Sequence, residues 1–191
     1  FSSKYSTADN ASINSFSTEV SFKKWASLTS ISHSSFGDIR MGKNRPHGFE
    51  DWGLTPYYSA NTRSQYSPTP LENEDPLIQK NTGYDQLDLF QKFLVQINEQ
   101  SQFSVNLQYS NSSDISRYDK LVEMRNGSLR FAEWYYGPQK RLFIAPQYKF
   151  FTEKRFLNSG RITFGYQDIE ESRNSRNFQS LTREYKREKV K

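Results

Sequence analysis

Apolar and polar residues alternate along the middle of the chain. Odd positions are mainly apolar over residues 87–97 and again over residues 103–109, whereas the even positions are largely polar. Such period-two alternation is typical of half-exposed β-strands. Opposed residues of an antiparallel hairpin share a face, so the two apolar sets should pair. We therefore predict a hairpin with a turn at 98–102, in which Ile97 faces Phe103, Val95 faces Val105 and Phe93 faces Leu107.

A second hairpin is predicted further along the chain. Even positions are apolar over residues 142–150 and over residues 162–166, and the segment between them, 152–160, is polar. Pro146 lies inside the first of these strands, where it removes a donor from the ladder. We therefore expect a β-bulge at Pro146.

A third, weaker hairpin is predicted near the start of the chain, between residues 13–22 and about 25–35, with its turn at Lys23-Lys24. Serine and threonine are frequent here, which leaves the register open. The residues that could share an apolar face are Phe16, Val20, Phe22, Ala26 and Leu28.

The connections between these six strands alternate in length. Short turns fall near 23–24, 98–102 and 152–160, and long excursions at about 36–83, 112–139 and from 171 onward. Short turns on one side and long loops on the other are typical of outer-membrane barrels. Such barrels need at least about eight strands, so six cannot close. The predicted fold is all-β: an antiparallel up-and-down transmembrane β-barrel, of which residues 1–191 form a single segment of about six strands. The alternative is a soluble β-sandwich with the same strands.

The amino-acid composition agrees with both all-β folds, the barrel and the sandwich, but favours the barrel. Only 34% of the residues are hydrophobic, yet 16% are aromatic. Barrels combine strands that are apolar on one side with aromatic girdles at the membrane boundary. There is no cysteine, which excludes disulfides and thiolate metal sites. A net charge of +5 permits anionic partners, but solvated loops account for it and no nucleic-acid partner is expected.

Several segments resemble one family. They are Ser34–Gly42, Gly83–Gln86, the strand pair through Leu107–Ser110, Asp114–Asp119, Leu129–Arg141 with its Trp-Tyr-Tyr-Gly-Pro-Gln run, and Gly165–Arg173. Together they resemble the barrel of TonB-dependent receptors from Bacteroidota. The resemblance implies a 22-stranded outer-membrane barrel whose missing plug domain contacts the TonB complex.

What the resemblance implies is energy-driven import of a scarce chelate of the haem, siderophore or cobalamin class, with no cofactor and no enzymatic activity. The expected partners are the TonB complex, the cargo, outer-membrane lipid and lipopolysaccharide, with a surface lipoprotein as a further candidate. The expected location is the bacterial outer membrane. A surface β-sandwich that binds carbohydrate through aromatic loops remains the alternative.

Candidate binding residues come from the loops, where aromatic rings offer contact area at low entropic cost. The substrate-binding candidates are Trp52, Tyr57, Tyr58, Arg117, Tyr118, Trp134, Tyr135, Tyr136 and Arg141. Arg130 and Lys140 flank the second cluster, and the cations there could meet anionic cargo or lipopolysaccharide phosphates.

No catalytic constellation is visible, and a metal site is not expected. His33 and His47 are the only histidines and lack metal-ligand spacing. The acidic cluster Glu72, Glu74 and Asp75 is better explained as a charged loop surface than as a Ca²⁺ site.

Overall fold

The computed structural model describes residues 1–44, 48–49, 51–60, 69–154, 156–178 and 180–190. Within these residues the fold is all-β apart from one short helix. The helix is α1 (Tyr118–Leu121). The strands are β1 (Ser2–Ser6), β2 (Ala11–Phe22), β3 (Trp25–Phe36), β4 (Ile39–Arg40), β5 (Tyr57–Tyr58), β6 (Leu71–Glu72), β7 (Ile78–Gln79), β8 (Tyr84–Asn98), β9 (Ser101–Ser112), β10 (Ile115–Ser116), β11 (Met124–Arg125), β12 (Ser128–Leu129), β13 (Phe131–Tyr136), β14 (Lys140–Lys154), β15 (Leu157–Thr163), β16 (Tyr166–Asn177) and β17 (Glu184–Val190).

Eleven of these strands form one antiparallel sheet, and the others form small two-stranded pairs in the loops. The order along the sheet is β1-β2-β3-β8-β9-β14-β16-β13-β10, with β15 beside β14 and β17 beside β16. The prediction of an all-β antiparallel fold is confirmed. Within the described residues the sheet is open, with β1 and β17 at its edges.

Several strands are parts of longer passes. Ile115 of β10 faces Tyr136 in the same register in which Asn111 of β9 faces Lys140, so β9 and β10 form one pass along β13 and β14. Likewise, β15 and β16 continue each other against β14. The described residues thus make eight passes in an up-and-down order: 2–6, 11–22, 25–36, 84–98, 101–116, 131–154, 157–177 and 184–190. The prediction of about six strands was too low, because β1 and β17 were not recognised.

The central hairpin is confirmed, but its predicted register was wrong by two residues. Val95 faces Phe103, and Phe93 faces Val105. The turn is tighter than predicted, since β8 extends to Asn98 and β9 begins at Ser101, with a register shift between Gln96 and Asn98. A shift of two residues preserves the faces, so the predicted apolar side is unchanged.

The second hairpin is also confirmed, with Tyr148 opposite Ile162. Its predicted connection at 152–160 was too long, because β14 extends to Lys154 and β15 begins at Leu157. The prediction of a β-bulge at Pro146 was wrong. Pro146 faces Val105 in a register that is unbroken along β9. The irregularity lies across the sheet instead, where β15 ends at Thr163 and β16 begins at Tyr166.

The first hairpin turns at Lys23-Lys24 as predicted, with Phe22 opposite Trp25. This register corrects the predicted face. Trp25 and Ile31 lie on the side of Phe16, Val20 and Phe22, whereas Ala26 and Leu28 lie on the other side.

Connections at the two ends of the passes differ in length. At one end, two residues link β2 to β3, β8 to β9 and β14 to β15. At the other end lie the loops 37–83 and 117–130, called loop 1 and loop 2 here, together with the connections 7–10 and 178–183. The predicted alternation of short and long connections is confirmed, but the last excursion is mostly strand. No helix of the described segments is long and apolar enough to cross a membrane.

One face of the sheet carries large apolar side chains that are solvent-exposed. The row nearest the short turns crosses six passes, each residue opposite the next: Phe22, Trp25, Val95, Phe103, Tyr148 and Ile162. All six are exposed, from 36% for Tyr148 to 64% for Ile162. Further rows add Phe16, Val20, Ile31, Leu89, Phe93, Val105, Leu142, Ile144 and Phe164. We call this the apolar face. From Phe16 to Phe22 it extends about 20 Å along the strand.

The opposite side, called the polar face, is mainly hydroxyl, amide and charged. One of its rows reads Ser15, Ser32, Asp88, Ser110 and Arg141. Ser15 and Ser32 hydrogen-bond at 2.9 Å, and the Ser110 hydroxyl donates to Asp88 at 2.6 Å. The two sides of the sheet therefore differ sharply in polarity.

Candidate binding surface

Loop 1 is held together at its neck. The Asp38 carboxylate accepts hydrogen bonds from the amides of Thr82 at 2.8 Å and Gly83 at 3.2 Å. Below this clasp, the rings of Phe36 and Tyr84 stack with centroids 4.6 Å apart. The loop therefore leaves and re-enters the sheet through a fixed pair of strand ends.

The described part of loop 1 also has an interior. The side-chain amide of buried Asn73 donates to the carbonyls of Thr55 at 2.8 Å and Ile78 at 3.0 Å. Arg40 forms an ion pair with Asp75 at 2.7 Å, and its hydrogen bond holds the pKa of Asp75 below the usual range. The acidic cluster predicted as a charged loop surface thus includes a carboxylate that ties the loop to Arg40.

Loops 1 and 2 contact each other. The Tyr118 hydroxyl at the start of α1 donates to the carbonyl of Leu54 in loop 1 at 3.3 Å. A cavity of about 10 Å³ lies between Thr55, Tyr58, Lys80, Leu121 and Phe131. Tyr118, a predicted site residue, is therefore a bridge between the loops.

The aromatic candidates of loop 1 are partly available to a ligand. Trp52 is 67% exposed in a turn, and Tyr57 is exposed on β5. Tyr58 is half-buried, with the Lys80 ammonium 5.9 Å from its ring. Tyr66, a further aromatic residue of loop 1, lies outside the described residues, as does His47.

The second aromatic cluster, predicted in a loop, lies instead in strand β13 and is packed rather than open. Trp134 is only 7% exposed and meets Tyr136 edge-on, with ring centroids 4.9 Å apart. The Arg117 guanidinium lies 5.1 Å from the Trp134 ring. Trp134 and Tyr136 face Ser175 and Arg173 of β16, and so lie on the polar face, whereas Tyr135 faces Asn174. Trp134 therefore stabilises the site more than it offers an open ring.

Arg141 is separate from this cluster. It lies on the polar face beside a groove of about 450 Å³, with Ser32, Asp88 and Ser110. Its guanidinium donates to Gln167 at 3.4 Å.

Ion pairs order loop 2. Arg117 binds Asp119 through two hydrogen bonds of 2.7 and 2.9 Å, which raise the pKa of Arg117. Glu123 binds Lys120 at 2.7 Å and also Arg130. The hydrogen bonds from Lys120 and then Arg130 hold the pKa of Glu123 below its usual range.

Sequence reasoning missed a charged network beside Trp134. Glu133, whose side chain is 13% exposed, pairs with buried Arg176 at 3.3 Å and with Arg183 at 2.8 Å. These residues join β13, β16 and the connection to β17. Glu133 falls in the predicted excursion 112–139, and Arg176 and Arg183 fall in the predicted excursion from 171 onward, where polar residues show no period.

The described residues contain no group of three or more His, Asp or Glu side chains that could hold a metal ion. His33 lies in β3, opposite Leu87.

Comparison with known proteins adds no assignment: no family model, curated protein or solved structure matches the chain.

Proposed function

We propose that the chain is a stretch of an outer-membrane β-barrel and that the intact protein is a TonB-dependent importer of a scarce nutrient chelate. The observation that carries the proposal is the apolar face. Exposed apolar patches larger than a few hundred Å² mark interaction or membrane surfaces, and this one crosses six neighbouring passes. Lipid would cover it while the polar face lines a wet interior.

The polar groups within the apolar face support the same environment. Gln91 lies among apolar rows, opposite Thr29. Its carbonyl accepts from the Thr29 hydroxyl at 2.6 Å, and its amide donates to Ser27 at 2.9 Å. In hydrocarbon each polar group needs such an internal partner.

Charge appears on the same side nearer the long loops. Lys140 faces Glu170, which faces Lys189 of β17. Arg187 pairs with Glu170 at 2.5 Å, and Lys189 lies 3.5 Å from Asp168. A charged rim beyond an apolar band suits the headgroup level, where lipopolysaccharide is the expected neighbour.

In lipid the open sheet would need further strands at its edges, or its two edges would have to pair with each other. Unpaired backbone groups at the edges of β1 and β17 would each cost several kcal/mol there. Eight passes reach the smallest barrel size, so strand number alone no longer demands a larger barrel. The larger barrel, its plug and the coupling to TonB rest on the family resemblance and on the two contacting loops, which suit ligand capture better than passive diffusion.

Fractionation and uptake test this proposal. The protein should co-purify with the outer membrane and migrate differently on detergent gels with and without heating. Cells lacking the gene should lose uptake of haem, a ferric siderophore or cobalamin, and an uncoupler should abolish the same uptake in the parent strain. If neither deletion of the gene nor the uncoupler changed the uptake of any of these chelates, import would be contradicted.

The second candidate is a surface β-sandwich that binds carbohydrate. The same apolar face could pack against a second sheet, and exposed Trp52 could stack on a sugar ring. A protein recovered only from soluble or peripheral fractions, and binding oligosaccharide through Trp52, would favour this alternative.

A further inference from the structure

A cleft of about 310 Å³ lies at the loop end of the sheet, between β13, β16 and the connection to β17. We call it the basic cleft. Its charged lining residues are Arg130, Arg173, Arg176 and Glu184, and Trp134, Ser175 and Thr182 complete much of the wall. Three arginines and one glutamate thus line the cleft.

Two neighbouring carboxylates, those of Glu133 and Glu123, do not balance this excess alone, because each is shared between two cations. Glu133 pairs with Arg176 at 3.3 Å and with Arg183 at 2.8 Å. Glu123 pairs with Lys120 at 2.7 Å and with Arg130. The side chain of Arg176 is only 7% exposed. Because Arg176 is paired with Glu133, the arginines that can reach a ligand are Arg173, which is exposed, and Arg130, whose side chain is 39% exposed.

We propose that the basic cleft binds an anionic ligand through phosphate or carboxylate oxygens. Guanidinium groups present planar pairs of donors that match both kinds of oxyanion. Arg173 and Ser175 lie on the polar face, opposite Tyr136 and Trp134. Arg176, opposite Glu133, lies on the other side of the sheet, so the ligand reaches Arg173 from the polar face.

The cleft stands on this geometry alone, but its role as a first contact for imported cargo rests on the proposed function. Under that function the cargo carries negative charge on its periphery. Arg117 over Trp134 and the paired Arg176 hold the wall in place, so the ligand meets a site that is already formed.

The test uses the intact protein in detergent, with inorganic pyrophosphate and citrate as probes in titration calorimetry at low ionic strength. Saturable binding of one probe per protein is expected, and Arg173→Gln should weaken it about tenfold, as loss of one charge-assisted hydrogen bond would. Arg130→Gln should act in the same direction, and Arg173→Lys should retain part of the affinity. The control is Arg161→Gln, since Arg161 lies on the same pass about 40 Å nearer the short turns and its replacement should change nothing.

A second arm identifies the source of the anion. Detergent-solubilised lipid A and its dephosphorylated form compete with pyrophosphate. If only phosphorylated lipid A displaces pyrophosphate, the cleft binds a lipid headgroup. If neither form of lipid A displaces pyrophosphate, the cleft binds a soluble anion. No saturable binding of either probe, or equal weakening by Arg173→Gln and Arg161→Gln in folded protein, overturns the site. If the protein binds the anion but cells lacking its gene show no uptake defect, the importer proposal is overturned and the binding site stands.

Discussion

The amide of Phe164 donates a hydrogen bond to the carbonyl of Pro146 over 3.0 Å, and Pro146 has no amide hydrogen to return it. Where such a pair is complete, opposed residues exchange two hydrogen bonds. The missing one coincides with the gap between β15 and β16, although both strands keep one register against β14. The proline therefore interrupts the ladder without displacing the strands.

Replacing Pro146 by Val should join β15 to β16. Amide exchange at Phe164 should slow, because the restored donor at position 146 completes the pair of hydrogen bonds with Phe164. Global stability should change by less than about 1 kcal/mol, since the gained hydrogen bond is offset by the greater freedom of the unfolded chain without proline. Hydrogen-exchange mass spectrometry measures the first effect and denaturant titration the second. Unchanged exchange at Phe164 would show that the gap has another cause.

Substitutions on the two faces should have unequal costs if the apolar face meets lipid. Val105→Arg should destabilise by about 2–4 kcal/mol near the bilayer midplane. Asn106→Arg, on the polar face one residue away, should be close to neutral. Unfolding from lipid vesicles measures both, and equal penalties would favour a sandwich buried on two sides.

The two tryptophans of the candidate surface should respond differently to truncation. Trp134→Ala should destabilise by about 3–5 kcal/mol, because the ring is buried against Arg117 and Tyr136. Trp52→Ala should stay within about 0.5 kcal/mol in stability, since Trp52 is 67% exposed, while weakening cargo capture. Thermal unfolding and a binding assay on the same preparations separate the two effects. A severe stability loss in Trp52→Ala would show that this ring is structural.

Loop 2 should loosen in acid through Glu123. Its folded pKa is lowered by Lys120 and then Arg130. The stabilisation is therefore complete above the ordinary glutamate pKa of about 4.3 and is lost as the pH falls through the lower folded value. Amide hydrogen exchange in residues 117–130, normalised for intrinsic rates, should therefore rise as the pH falls through this range. Glu123→Gln should remove the pH dependence, and an identical acid response in this variant would assign it to another group.

The faces of the central strands could be predicted because alternation at Phe93 or Val105 is a local property that survives an error in register. The register itself depends on turn geometry: the two-residue turn and the shift at Ile97 leave no mark in the hydrophobic pattern. β17 was missed since Arg187 and Lys189 on one side alternate with Lys186 and Glu188 on the other, which gives no contrast in polarity.

The candidate surface was predictable in composition but not in arrangement. The Trp-Tyr-Tyr run indicated a functional segment, yet its sequence does not say that Trp134 is buried while Trp52 is exposed. Glu133, Arg176 and Arg183 come from three separate segments. Only the pairing of β13 with β16 brings them together.

Rows of side chains run across six passes in this sheet, each residue directly opposite the next. Inserting or deleting one residue within such a strand would transfer every side chain beyond that point to the other face. Apolar residues would then enter the polar side and charges the apolar side. Natural length variation in this protein is therefore expected in the connections at the long-loop end, while the strands evolve by substitution at fixed length, or by paired changes that restore the count.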